Sequence, residues 1–284
     1  MLQANAQEVH DVRFYPTKLY LKGGFEIKLF NNYYREKFKT DFQQDFYASF
    51  FQVLIGSDKN INWGIDIKYR SAATAKFADK FFLAIPFSDL PFSEGNDALS
   101  FRRAGLSAIG PRIKYFVDSK LGAISILHAV YFPTLSDGEG NQDFGFADWE
   151  NLQFYNNLFF ERKLDERSNI FFDVGLHFEN LGGYLWNEEP GYGQLLIPIT
   201  GIYNFYPNYK STLYGMLNIS PRLGFSDTGE AVDVIGGAFS QVGLGAKYFI
   251  TPKFEAELLY TQFFNFGANS SASTFNLGFR YFRN

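Results

Sequence analysis

Phe275, Leu277, Phe279 and Tyr281 alternate with Thr274, Asn276, Gly278 and Arg280 near the end of the chain. A period of two puts successive side chains on opposite faces of a strand. One face here is apolar and aromatic, and the other is polar and carries a full charge. The same alternation recurs upstream. Ile61, Trp63, Ile65, Ile67 and Tyr69 oppose Asn62, Gly64, Asp66, Lys68 and Arg70. Phe172, Val174, Leu176 and Phe178 oppose Asp173, Gly175, His177 and Glu179. Val242, Leu244, Ala246, Tyr248 and Ile250 oppose Gln241, Gly243, Gly245 and Lys247, while Phe254, Ala256, Leu258 and Tyr260 oppose Glu255 and Glu257. A charge facing mid-bilayer lipid costs ~2–4 kcal/mol. Several on one strand therefore need a water-facing side, which leaves the apolar face to hydrocarbon.

Short polar links separate the alternating segments: Ser57-Asp58-Lys59-Asn60, Asp118-Ser119-Lys120, Asp165-Glu166-Arg167-Ser168, Pro207-Asn208-Tyr209-Lys210 and Thr251-Pro252-Lys253. All are built from turn formers. After the first interval they recur roughly every 42–47 residues, enough for two strands, one long loop and one tight turn. Longer Gly- and acid-rich connections, such as Leu135–Trp149, Leu181–Gly193 and Ser226–Gly237, lie between them. The expected fold is all-β, a transmembrane antiparallel up-and-down β-barrel with short periplasmic turns and long extracellular loops. Strands are expected near 18–30, 42–56, 61–72, 101–117, 121–133, 151–164, 169–180, 194–206, 211–225, 238–250, 253–266 and 273–283, about 12 in all. Residues 1–17 then form a periplasmic N-terminal tail and 18–284 the barrel. The second, fourth and fifth strands alternate less cleanly. Gly110-Pro111 reads as a bulge that resets the phase, and Pro198 and Pro221 remove ladder donors from two other strands.

Composition supports a lipid-facing wall. Aromatics are 20% of the 284 residues, with 35 Phe and 18 Tyr, where a soluble core would lean on Leu, Val and Ala. No apolar run approaches the ~20 residues of a spanning helix; the best, Gly122–Phe132, is interrupted by Ser125 and His128. The absence of cysteine excludes disulfides and thiolate metal sites, and a net charge of −4 gives nucleic acid no electrostatic footing. Ala4-Asn5-Ala6 before Gln7 is similar to the small-x-small cleavage site of an export signal; a disordered tail is the other reading.

Candidate chemistry is sparse. Asp66, Lys68, Arg70, Asp173, His177, Glu179, Lys247, Glu255, Glu257 and Arg280 are expected to face the lumen as a polar network of mixed sign. Mixed signs favour cross-strand ion pairs over a selective field. His10 lies in the tail, and the phase of its strand leaves open which face His128 takes. His177-Phe178-Glu179-Asn180 loosely resembles the His-x-Ser-Asn signature of lipid A deacylase barrels and the similar one of outer-membrane phospholipases. Glu179 stands at the nucleophile position, and a carboxylate does not replace that hydroxyl. No catalytic residue is expected. Asp137-Gly138-Glu139-Gly140-Asn141-Gln142-Asp143, continuing to Asp148, approaches a calcium loop but has Gln142 at the turn glycine and Asp148 at the bidentate Glu. A solvated acidic loop is expected there, with no metal and no cofactor. Phe77, Phe81, Phe82, Ile85, Phe87 and Phe92 make the 72–100 connection apolar enough to plug the mouth or dock on a partner.

On the alternation, the turn rhythm and the aromatic last strand, the whole chain resembles a single-chain bacterial outer-membrane β-barrel. Its Ala-Asn-Ala-Gln start and Phe/Tyr/Asn-rich wall look like such proteins from the Bacteroidota. The resemblance implies outer-membrane lipid as the surroundings and a narrow channel or transporter for small solutes. The alternatives are a non-transporting subunit of an envelope complex, docking through 72–100 or the barrel wall, and, more remotely, a lipid-modifying enzyme.

Overall fold

A computed structural model describes residues 17–38, 42–57, 60–76, 84, 100–117, 119–135, 147–181, 193–225, 231–233, 239–264 and 270–283. Among these residues, fifteen strand segments form one antiparallel sheet that closes on itself. They are β1 (Phe25–Phe38), β2 (Phe42–Gly56), β3 (Ile61–Lys76), β4 (Ser100–Val117), β5 (Ala123–Pro133), β6 (Gln153–Lys163), β7 (Ser168–Glu179), β8 (Gly193–Leu196), β9 (Ile199–Phe205), β10 (Ser211–Ser220), β11 (Arg222–Phe225), β12 (Ala231–Asp233), β13 (Phe239–Thr251), β14 (Phe254–Phe264) and β15 (Ser270–Arg283). β1 pairs with β15, and β7 pairs with β9, which completes the ring.

Twelve strands make the barrel. β8 and β9 keep one register against β7, with Glu179 opposite Gln194 and Val174 opposite Ile199. β10 and β11 likewise keep one register against β9 and β8. Each pair is thus one wall strand interrupted at a proline, Pro198 or Pro221. Proline lacks the N–H but keeps its carbonyl. Gly175 N donates to Pro198 O at 2.8 Å, and Ile197 N donates to Pro221 O at 2.9 Å, so the wall stays in register through both breaks. The three-residue β12 only extends the β10–β13 hairpin.

Two expectations are corrected. The first strand was expected at 18–30, but β1 begins at Phe25 and runs to Phe38. Gly23, at φ +81°, and the Gly24 N to Leu21 O bond of 2.8 Å turn the chain just before it. The second correction concerns the bulge. Lys68 faces Ala108 and Tyr69 faces Leu106, so the extra residue is Ser107 and not Gly110-Pro111. Gly110 instead lets β4 approach β5 closely, since a Cβ there would lie 1.7 Å from Val130 O.

Burial is inverted relative to a soluble protein. Asn62, Asp66, Lys68, Ser125 and Gln153 have no exposed surface, while Leu244 is 75% and Trp63 54% exposed. Polar groups line the inside and apolar ones face out, as lipid demands. Closure also satisfies every edge that hydrocarbon would leave bare. Turn chemistry fixes the short-connection end: Asp165 accepts from Arg167 N and Ser168 Oγ at 2.7 Å each, and Asn208 Oδ1 accepts from Lys210 N and Ser211 N. Replacing Leu244, midway along β13, with Arg is expected to cost ~2–4 kcal/mol, read as a lower urea midpoint for protein refolded into bilayers. An unchanged midpoint would mean that this face does not meet hydrocarbon.

Candidate functional site: the barrel interior

Inward positions of adjacent strands bring their side chains within reach across the wall. At the short-turn end, β1, β15, β14 and β13 contribute Glu26, Lys28, Arg280, Glu255, Glu257 and Lys247, as many acids as bases. Arg280 bridges Glu255 at 3.3 Å and Glu26 at 3.6 Å, and Lys247 meets Glu257 at 3.5 Å. Tyr214 on β10 donates its hydroxyl to Glu257. The cavity bordered by Lys28, Phe30, Glu255, Glu257 and Arg280 measures about 10 Å³, room for about one water.

The chain just before β1 crosses this end on the inside. Thr17 Oγ1 donates to Glu161 Oε2 on β6 at 2.9 Å, and Lys114 Nζ on β4 donates to Lys18 O at 3.0 Å. The Asn62 amide on β3 pairs with both backbone groups of Tyr20, each at 2.8 Å, as a neighbouring strand would. The Tyr20 hydroxyl donates to Glu26 at 2.8 Å. Thr17–Tyr20 is therefore a strap tied to four wall strands.

Farther from the turns, inward side chains crowd around Lys68. Its ammonium lies 3.4 Å from the centre of the Tyr131 ring and 4.4 Å from that of Tyr155, and it donates to Gln153 Oε1 at 3.1 Å. Both contacts are within cation–π range. Asp66 accepts from Tyr131 at 2.7 Å and from Arg112 at 2.9 Å. Glu179 accepts from Tyr155 at 2.7 Å and Trp149 at 3.0 Å, and also from Gln194. His177 stacks on Tyr155 with ring centres 4.0 Å apart and meets Asn157 Oδ1 at 3.2 Å. Asn157 in turn donates to Asp173 at 2.8 Å. Gly175 carries no side chain because a Cβ would come 2.7 Å from both His177 and Pro198.

The ten residues singled out in the sequence fall into two groups. Asp66, Lys68, Arg70, His177 and Glu179 gather around the Tyr131–Tyr155 pair, Asp173 joins them only through Asn157, and Lys247, Glu255, Glu257 and Arg280 form the separate ladder near the turns. Asp148 is not part of a solvated loop: it is fully buried, bridges Arg70 at 3.3 Å and accepts from Gln153. Residues 137–143 lie outside the described residues, as do Phe77, Phe81, Phe82, Ile85, Phe87 and Phe92. Among the described residues, no group of three or more His, Cys, Asp or Glu is placed to hold a metal. Sequence reading overlooked Arg112, Tyr131, Gln153, Tyr155 and the Tyr20 strap. The phase of β4 and β5 would have found the first two once the bulge was placed.

No family model and no curated protein matches the chain. Solved structures do. The COG4313 outer membrane channel from Pseudomonas putida F1 superposes with a TM-score of 0.62 at 8% identity, covering 94% of this chain and 97% of that one. The β domain of the Bordetella autotransporter BrkA reaches a TM-score of 0.55 at 10% identity, covering 91% and 99%. The NanC porin reaches 0.50 at 8% identity, covering 90% and 98%. The chain has the fold of outer-membrane β-barrel proteins. At these identities the likeness speaks for architecture, and the chemistry must come from the residues above.

Proposed function

We propose that this barrel sits in the outer membrane of a Gram-negative bacterium and conducts small polar solutes. The observation that carries this reading is the polar inner wall, whose charges extend from Glu26 and Arg280 near the turns to Arg70 and Glu179 beyond the middle. A twelve-stranded barrel is wider than the filled eight-stranded kind and narrower than a porin of sixteen. Its ion pairs balance, so weak charge selectivity is expected. The likeness to an outer membrane channel and a porin supports the same reading.

The crowding around Lys68 favours a second reading, a non-transporting subunit that docks on envelope proteins through 72–100 or the wall. Planar-bilayer recording separates the two. Discrete, salt-dependent conductance steps with little anion–cation preference are expected. A silent barrel that co-purifies with other envelope proteins in mild detergent would favour the second.

A further inference from the structure

The phase of β5 turns His128 outward. Its inward neighbours on that strand, Leu127 and Ala129, are buried with Tyr131 in the interior cluster. Outside, His128 Nε2 lies 3.2 Å from the Tyr115 hydroxyl on β4, and Nδ1 is hydrogen-bonded to Asn156 Oδ1 on β6. The His128 ring stacks between Tyr115 and Phe154, with centres 5.6 and 6.2 Å away. This polar row lies within an apolar band. On β5, Ile124 and Ile126 lie below it and Val130 and Phe132 above. On β6, Leu158 and Phe160 lie below and Phe154 above, and Leu176 of β7 faces Asn156.

Ionisable and amide side chains inside a membrane are rare on surfaces that meet only lipid. Asn156 Oδ1 can only accept, so Nδ1 of a neutral His128 donates to it and Nε2 accepts the Tyr115 hydrogen. Among the described residues, two capacities of this row remain unmatched on the outer surface: the N–H donors of the Asn156 amide and the acceptor lone pairs of the Tyr115 oxygen. Acyl chains satisfy neither.

We propose that this face of β4–β6 is the contact between two copies of the chain, related by a two-fold axis. Under such an axis, Asn156 of each copy donates to Tyr115 of the other, so one patch supplies both halves of the match. The surrounding Ile113, Ile126, Val130, Leu158 and Leu176 provide the apolar rim. A chemically different partner would have to bring a donor and an acceptor at matching spacing; a second copy brings them by symmetry.

The chain has no cysteine, so single introduced thiols report on proximity without background. Ile126→Cys and Val130→Cys flank His128 on β5, the strand midway between Tyr115 and Asn156 and so nearest the axis, and Leu244→Cys on the far wall is the control. In native membranes under mild oxidation, the flanking variants should give a disulfide-linked homodimer at least several-fold above the control. His128→Leu or Asn156→Leu in the same background should abolish that excess while the heat-modifiable band of the folded barrel persists. The unsubstituted chain in mild detergent should sediment as a dimer. Equal cross-linking at all three sites, cross-links to a different protein, indifference to both Leu replacements, or a monomeric mass would each overturn the proposal.

Discussion

Removing residues 1–20 is expected to raise single-channel conductance several-fold. The strap runs inside the short-turn end, where the facing wall already carries the Glu26–Arg280–Glu255 ladder. It is held by the Thr17–Glu161, Lys18–Lys114, Tyr20–Asn62 and Tyr20–Glu26 hydrogen bonds. Deleting it returns Asn62, Lys114 and Glu161 to water and widens the passage by the width of a chain. Asn62→Ala is the gentler test. It removes two bonds to the Tyr20 backbone, each worth about 0.5–1.5 kcal/mol, so docking weakens by about 1–3 kcal/mol and the strap spends part of its time released. Frequent brief openings are then expected in place of one steady larger state. Unchanged conductance in the deletion would move the narrowest point to the Lys68–Tyr131–Tyr155 crowding. Loss of all conductance would mean that the strap organises the pore instead of narrowing it.

Legibility in the sequence followed a single physical asymmetry. Where one face of a strand carried charges, as in β3 with Asp66, Lys68 and Arg70, lipid allowed only one orientation, and alternation alone assigned inside and outside. The second half of β1 escaped because Asn31 to Lys37 is polar on both faces, so nothing in the pattern carried the strand past residue 30. The Ser107 bulge escaped because one unpaired serine leaves no mark on composition, whereas Gly110-Pro111 looks disruptive and keeps its register. The interior network was hidden for another reason. Tyr131 and Asp66 are 65 residues apart, and Arg112 and Asp66 are 46 apart. The pairing of β3 with β4 and of β4 with β5 brings them together. The face of His128 was likewise undecidable until the pairing of β4, β5 and β6 was known.

Asp66→Ala is expected to be the most destabilising single change in the wall. Asp66 has no exposed surface and accepts from Tyr131 and Arg112, whose side chain is itself only 13% exposed. Removing one member of such a pair leaves an uncompensated charge, and the cost is ~3–5 kcal/mol. Lys68 and Arg70 stand on the same strand face, so three cations would then confront Asp148 and Glu179 alone. The double replacement Asp66→Ala with Arg112→Met tests this account, because it removes the orphaned guanidinium and fills its volume with an apolar chain. What remains is the unpartnered Tyr131 hydroxyl, worth about 1–3 kcal/mol, so the double variant should recover part of the loss. Urea titrations of bilayer-refolded protein, followed by tryptophan fluorescence, give both values and the coupling between the two positions. A double variant as unstable as Asp66→Ala alone would place the cost on Tyr131 and Lys68, and the Arg112 pair would then contribute little to holding β3 against β4.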